Sequence, residues 1–181
     1  MRVITGTARG ARLETLEGLE TRPTTDRVKE AIYSSIQFEI EGRRVLDLFA
    51  GSGQLGIESL SRGAASAIFI DASAEAVAVI RQNLQHVKLA DKASVSASDY
   101  GQFLGHTKAI FDVVFIDPPY SKGLAEKALA LVAPHMSEQG VVIVETASID
   151  ELPETAGDFE MTQKKKYGKT VISYYRKKSA D

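Results

Sequence analysis

Residues 44–56 read Arg-Val-Leu-Asp-Leu-Phe-Ala-Gly-Ser-Gly-Gln-Leu-Gly, an apolar run that ends in a glycine-rich turn and passes into a helical pattern. A strand feeding a helix through such a turn is the first unit of a doubly wound sheet, and it restricts the rest of the chain to that plan. The plan continues downstream. Strand candidates fall at 44–49, 67–71, 93–97, 111–117 and 140–146, with helices expected near 54–62, 73–86 and 123–133. Alternation of this kind implies a mostly parallel sheet covered on both faces. The ends differ. Residues 1–14 read as a short hairpin punctuated by Gly6 and Gly10, and Val28, Ala31, Ile32, Ser35 and Ile36 have helical spacing. Segments 159–166 and 170–176 around Tyr167-Gly168-Lys169 read as a terminal antiparallel hairpin, and 147–158 as a loop. The expectation is a single domain over 1–181, an N-terminal hairpin extension (1–22) on a Rossmann-like core (23–181).

Ligands of such sheets bind outside the carboxyl ends of the strands. Asp47, Asp71, Asp99 and Asp117 all fall at or just beyond those ends, so they are expected to converge on one edge. The spacing of Gly51, Gly53 and Gly56, with Asp71 twenty residues beyond Gly51, matches the dinucleotide fingerprint. Asp47 argues for a different ligand. A carboxylate at the end of the first strand repels a pyrophosphate but favours an ammonium or sulfonium centre. The favoured cofactor is S-adenosylmethionine, held by Asp47, Ala50, Gly51, Ser52, Gly53, Asp71, Ala72, Asp99 and Tyr100. Asp71 is expected on the ribose hydroxyls and Asp99 on the adenine amine; helix capping is the alternative for each.

A second motif, Asp117-Pro118-Pro119-Tyr120, follows the apolar run 111–116. The prolines fix their own φ and restrict the residue before them, so acceptors on this loop are held in place. Asp117 and the carbonyl of Pro118 can accept from an exocyclic NH2 group, and Tyr120 offers a ring for stacking. An amine attacking a methyl group gains positive charge, which such acceptors stabilise.

Charge placement adds a partner. The chain's net charge is only −2, yet residues 161–180 carry seven basic residues and no acid, and Arg2, Arg9 and Arg12 stand in an acid-free start. Residues 31–160 carry nine basic and eighteen acidic residues. Basic ends on an acidic body suit nucleic-acid phosphates if both project on one side. The absence of cysteine removes disulfides, thiolate zinc sites and covalent thiol catalysis, and the three histidines are scattered. No metal site is expected. No apolar run approaches the roughly 20 residues that span a bilayer, and no signal-peptide pattern opens the chain, so a cytoplasmic monomer is the expectation.

With those residues in view, the chain resembles the bacterial small-subunit ribosomal RNA guanine-N2 methyltransferases of the RsmD type. The resemblance runs through residues 2–6 and 9–10, Thr21-Arg22-Pro23-Thr24, 26–31, 47–53, 55–58 and 61–64 to Asp117–Tyr120. It implies a class I methyltransferase fold with a seven-stranded sheet, S-adenosylmethionine as donor, and a guanine of small-subunit rRNA within a ribonucleoprotein particle as substrate. By the same resemblance, Asp117, Pro118, Pro119 and Tyr120 are catalytic. Arg22, Thr24 and Arg27 lie near the RNA entrance or the donor site, and on charge grounds Arg2, Arg9, Arg12, Lys164, Lys165 and Lys166 join them as nucleic-acid contacts. The chain departs from many relatives at Asp71, where they carry Glu. An adenine-N6 methyltransferase on DNA or RNA and a non-catalytic RNA-binding assembly factor are the rival readings.

Overall fold

The structure, a computed structural model, describes residues 1–17, 24–120 and 123–180. Five parallel strands form its centre: β1 (Arg44–Leu48), β2 (Ser66–Asp71), β3 (Ala93–Ala97), β4 (Phe111–Ile116) and β5 (Met136–Ala147). Three more, β6 (Thr155–Ala156), β7 (Phe159–Tyr167) and β8 (Thr170–Lys177), extend the sheet antiparallel in the order β3-β2-β1-β4-β5-β8-β7-β6. The expected seven strands are all present, and the eighth is the two-residue β6 inside the predicted loop. A ladder that short has no periodicity to read. β5 also starts four residues before its expected position, because the pairing with β4 shifts register between Phe111 and Val113.

Helices α1 (Asp26–Ser35), α2 (Gln54–Ser61) and α3 (Ala74–His86) occupy their expected stretches. The Thr25 hydroxyl accepts from Val28 N at 3.3 Å and that of Ser73 from Ala76 N at 3.2 Å, so α1 and α3 begin where a side chain satisfies an orphan amide. α4 (Tyr100–His106) was not among the expected helices; two glycines weaken its signal, and Asp99 caps it. α5 (Leu124–Val132) completes the set. One face of the sheet, with Val45, Phe69, Phe115 and Ile143, packs against α1, α2 and α3; the other, with Leu46, Ile116 and Val144, packs against α4 and α5. Among the described residues no helix is long and apolar enough to cross a membrane.

The N-terminal segment makes one bridge, Arg2 to Arg12, rather than a long ladder. Tertiary contacts hold it. Glu58 on α2, fully buried, accepts from Ile4 N at 2.9 Å and Thr5 N at 3.1 Å, and pairs with Lys29 at 3.6 Å and Arg62 at 3.0 Å. Gly6 lies so close to the end of α2 that a Cβ there would meet Ser61 O at 1.8 Å. Buried Asn83 on α3 exchanges hydrogen bonds with Glu14 and donates to Ser52 O at 2.9 Å, tying the arm to the glycine turn.

Candidate active site

The predicted convergence is present: Asp47, Asp71, Asp99 and Asp117 all line one cavity of about 670 Å3 at the carboxyl ends of β1–β4. That volume lies within the range of small-molecule sites. The glycine turn forms its floor. Gly51 has φ 59° and Gly53 φ 84°, and a Cβ on Gly56 would meet the Phe69 ring at 2.3 Å. Each glycine therefore has a separate local duty: two turn the chain and the third lets α2 press onto β2. Ala50, Gly51, Ser52 and Ala72 line the cavity as expected, whereas Gly53 does not; it is the left-handed residue that opens α2.

Asp47 is almost fully buried and accepts from Gly56 N at 2.9 Å. Burial, with the nearby charge of Asp71, outweighs that hydrogen bond and pushes its pKa up to about 7. Asp71 is spent partly on architecture. Its two oxygens accept from Gly51 N and Ser73 N, each at 2.9 Å, pinning the glycine turn to the start of α3. A carboxylate oxygen that accepts one hydrogen bond keeps a further lone pair for a ligand hydroxyl. Asp99 realises its capping alternative, Oδ1 accepting from Gly101 N and Gln102 N, while still lining the cavity. Phe49, at φ 63°, and Tyr100 form a tilted ring pair with centroids 5.1 Å apart, an aromatic wall of the cavity. A non-glycine residue held at positive φ beside a cavity is stored strain of the kind found at functional sites.

Asp117 leaves the end of β4, and Pro118, Pro119 and Tyr120 carry the lining outward. Tyr120 is 53% exposed at the rim, where a ring can receive a planar partner. Burial first, then the charges of Glu145 and Asp47, raise the Asp117 pKa well above the carboxylate range. Glu145, on β5, was missed by the sequence reading although it repeats the signal of Asp47: an acid at the end of an apolar run. It is buried, accepts from the Thr24 hydroxyl at 3.0 Å, and lines the cavity. Gln54 is the other omission. Its Oε1 is buried without a hydrogen-bond partner among the described residues and the residue lines the cavity.

Beyond Glu145 lies a groove of about 390 Å3, bounded by Thr24, Arg27, Lys166 and Lys169. Glu145 is the wall it shares with the larger cavity. The structure thus gathers three of the expected nucleic-acid residues, Thr24, Arg27 and Lys166, beside Glu145. Others go elsewhere. Lys165 pairs with Ile172 and lies on the α1 face, so neighbouring Lys164 alternates to the opposite face. Arg2 pairs with Asp26, and Arg9 and Arg12 are exposed on the arm. Arg22 lies outside the described residues.

A family model described as "Conserved hypothetical protein 95" matches residues 1–176. The Bacillus subtilis protein YlbH is 41% identical over 184 residues, covering 98% of this chain and 100% of its own length. The Escherichia coli protein named ribosomal RNA small subunit methyltransferase D is 32% identical, covering 99% of this chain and 91% of its own length. The solved structure of YhhF from Escherichia coli superposes with a TM-score of 0.89 at 32% identity, covering 99% of both chains.

Proposed function

We propose, on the premise that the chain belongs to this family and has the α/β methyltransferase fold of its structural neighbours, that it is an rRNA methyltransferase. In its finer form, the proposal is transfer of a methyl group from S-adenosylmethionine to the exocyclic N2 amine of a guanine in small-subunit ribosomal RNA. The observation that carries it is the meeting of two chemistries in one cavity: an acid-and-glycine floor around Asp47 and Asp71, and the Asp117–Tyr120 loop at the rim.

The floor fits the donor. Asp47 offers a buried carboxylate suited to an ammonium group, Asp71 retains acceptor capacity for ribose hydroxyls, and Gln54 Oε1 is an orphaned buried acceptor. Asp99 and Tyr100 flank the place an adenine would take, with the Phe49 ring tilted against Tyr100. When bound, S-adenosylmethionine supplies a methyl group made electrophilic by a positively charged sulfur. The chain supplies the rest. Asp117 and the Pro118 carbonyl accept the amine hydrogens, holding the nitrogen lone pair towards the methyl carbon. As the N–C bond forms and the sulfur–methyl bond breaks, with S-adenosylhomocysteine as the leaving group, the nitrogen would become positive, and a carboxylate beside it would stabilise that state more than the neutral amine. The proton then shed can pass to Asp117, whose proton affinity is already raised. Tyr120 stacks on the base and offsets part of the few kcal/mol spent in unstacking it. Thr24, Arg27 and Lys166 guide the flanking backbone, with the basic arm as a second contact.

The direct test incubates the protein with labelled S-adenosylmethionine and unmodified small ribosomal subunits, deproteinised rRNA, or duplex DNA, followed by nucleoside analysis. N2-methylguanosine in subunits or rRNA is the expected product. Label in DNA or in N6-methyladenosine would redirect the assignment to an adenine enzyme, and no label would make the protein a binding factor. Asp117→Ala should abolish turnover while leaving donor affinity within a few-fold of the wild type, measured by titration calorimetry.

A further inference from the structure

Two carboxylates, not one, face the place where the substrate amine would lie. Ile116, the last residue of β4, pairs with Val144 of β5, so Asp117, just past the strand end, and Glu145 on β5 are the next residues of two parallel neighbours. Such strands run about 4.8 Å apart. Phe115 and Ile143, two residues earlier on each strand, both point to the α1 face, and alternation sends Asp117 and Glu145 to the same side. Both line the cavity, and Glu145 alone of the two also lines the basic groove. Thr24 donates to Oε2 of Glu145 at 3.0 Å, which helps to fix the head group.

A pair of level acceptors is complementary to a ligand edge with two adjacent donors. Guanine has such an edge, with the N2 amine beside N1–H. Adenine does not: its amine stands beside a bare N1 lone pair, which a carboxylate repels. Resting on the reading that this site methylates an exocyclic amine of a base, we infer that Glu145 selects guanine by accepting N1–H while Asp117 accepts from N2. Glu145 is then a specificity residue, and Thr24 positions it. The Thr24 segment thereby reaches the site through a buried hydrogen bond as well as through the groove.

The test is a binding measurement that needs no turnover. 2-Aminopurine riboside is fluorescent and keeps the amine but carries a lone pair at N1. It is titrated with the protein in the presence of S-adenosylhomocysteine, then displaced by guanosine. For wild type, guanosine should bind about tenfold to a hundredfold more tightly, the effect of one charge-assisted hydrogen bond. Glu145→Gln keeps an oxygen for Thr24 but can present an N–H to N1, so it should bring the ratio to one or below. A purely structural Glu145 would leave the ratio unchanged. Glu145→Asp keeps the charge on a shorter stem and should retain the guanosine preference at lower affinity. Equal or undetectable binding of the two nucleosides to wild type, or a ratio that survives Glu145→Gln, overturns the inference. Methylated guanine in subunits with an unchanged ratio would sink the role of Glu145 alone. The expected ratios with no methylation would instead sink the catalytic reading and leave the recognition standing.

Discussion

Substituting Glu58 by alanine removes the carboxylate on which the N-terminal arm, α1 and α2 converge. Its side chain and that of Lys29 are both fully buried, and Arg62 is mostly covered. The change takes the counter-charge from an ammonium and a guanidinium and the acceptor from the amides of Ile4 and Thr5, while Lys29 keeps its bond to Arg2 O. Removing one partner of a buried ion pair costs about 3–5 kcal/mol, which is a large share of a native stability of about 5–15 kcal/mol. The loss should depend on pH. Burial already lowers the Lys29 pKa below 10.5, and Glu58 opposes that shift. Without Glu58 the folded-state value falls further, while the unfolded value stays near the ordinary one. Between the two, the folded variant binds fewer protons than the unfolded chain, so its stability rises with pH. Urea denaturation followed by circular dichroism should therefore show the largest deficit near about pH 6 and a smaller one near about pH 9. Trypsin should cut faster after Arg9 and Arg12 as the arm loosens. Adding Lys29→Met should recover part of the loss by removing the stranded ammonium. A deficit below about 1 kcal/mol near pH 6, or one that is equal at both pH values, would refute the account.

Asp47→Asn should flatten the pH dependence of the ligand-free protein. With a folded-state pKa of about 7 against 3.8, Asp47 holds its proton longer in the folded chain, so wild-type stability falls as pH rises through that window. The penalty at higher pH is at most about 4 kcal/mol, so the variant should melt higher than wild type above pH 7 and bind S-adenosylmethionine more weakly. Gly56→Ala puts a methyl against the Phe69 ring at 2.3 Å and should cost about 1–3 kcal/mol in denaturant titrations. Arg27→Ala with Lys166→Ala should weaken rRNA binding and reduce the slope of log affinity against log salt by about 1.4–1.8, with donor affinity unchanged.

Much of this protein is legible along the chain because the signals are local. A strand announces itself by its apolar run and a helix by its period and cap. A glycine turn between them fixes where the carboxyl end of the strand lies. That is why Asp47, Asp71, Asp99 and Asp117 could be assigned to one edge before any strand order was known. Local signals also mark the Asp117–Tyr120 loop, whose prolines set their own geometry. What they omit is adjacency. Only the order β1-β4-β5 sets Glu145 beside Asp117, and only the packing of α2 under the arm makes Glu58 its anchor. Asp71 lines the cavity, and its oxygens also hold Gly51 and Ser73, because the turn and α3 begin within reach of the same carboxylate. The lysine triplet looked like one patch, but the pleat divides it between two faces. In each case the missing quantity is a distance between residues far apart in sequence, and such distances exist only once the sheet has closed.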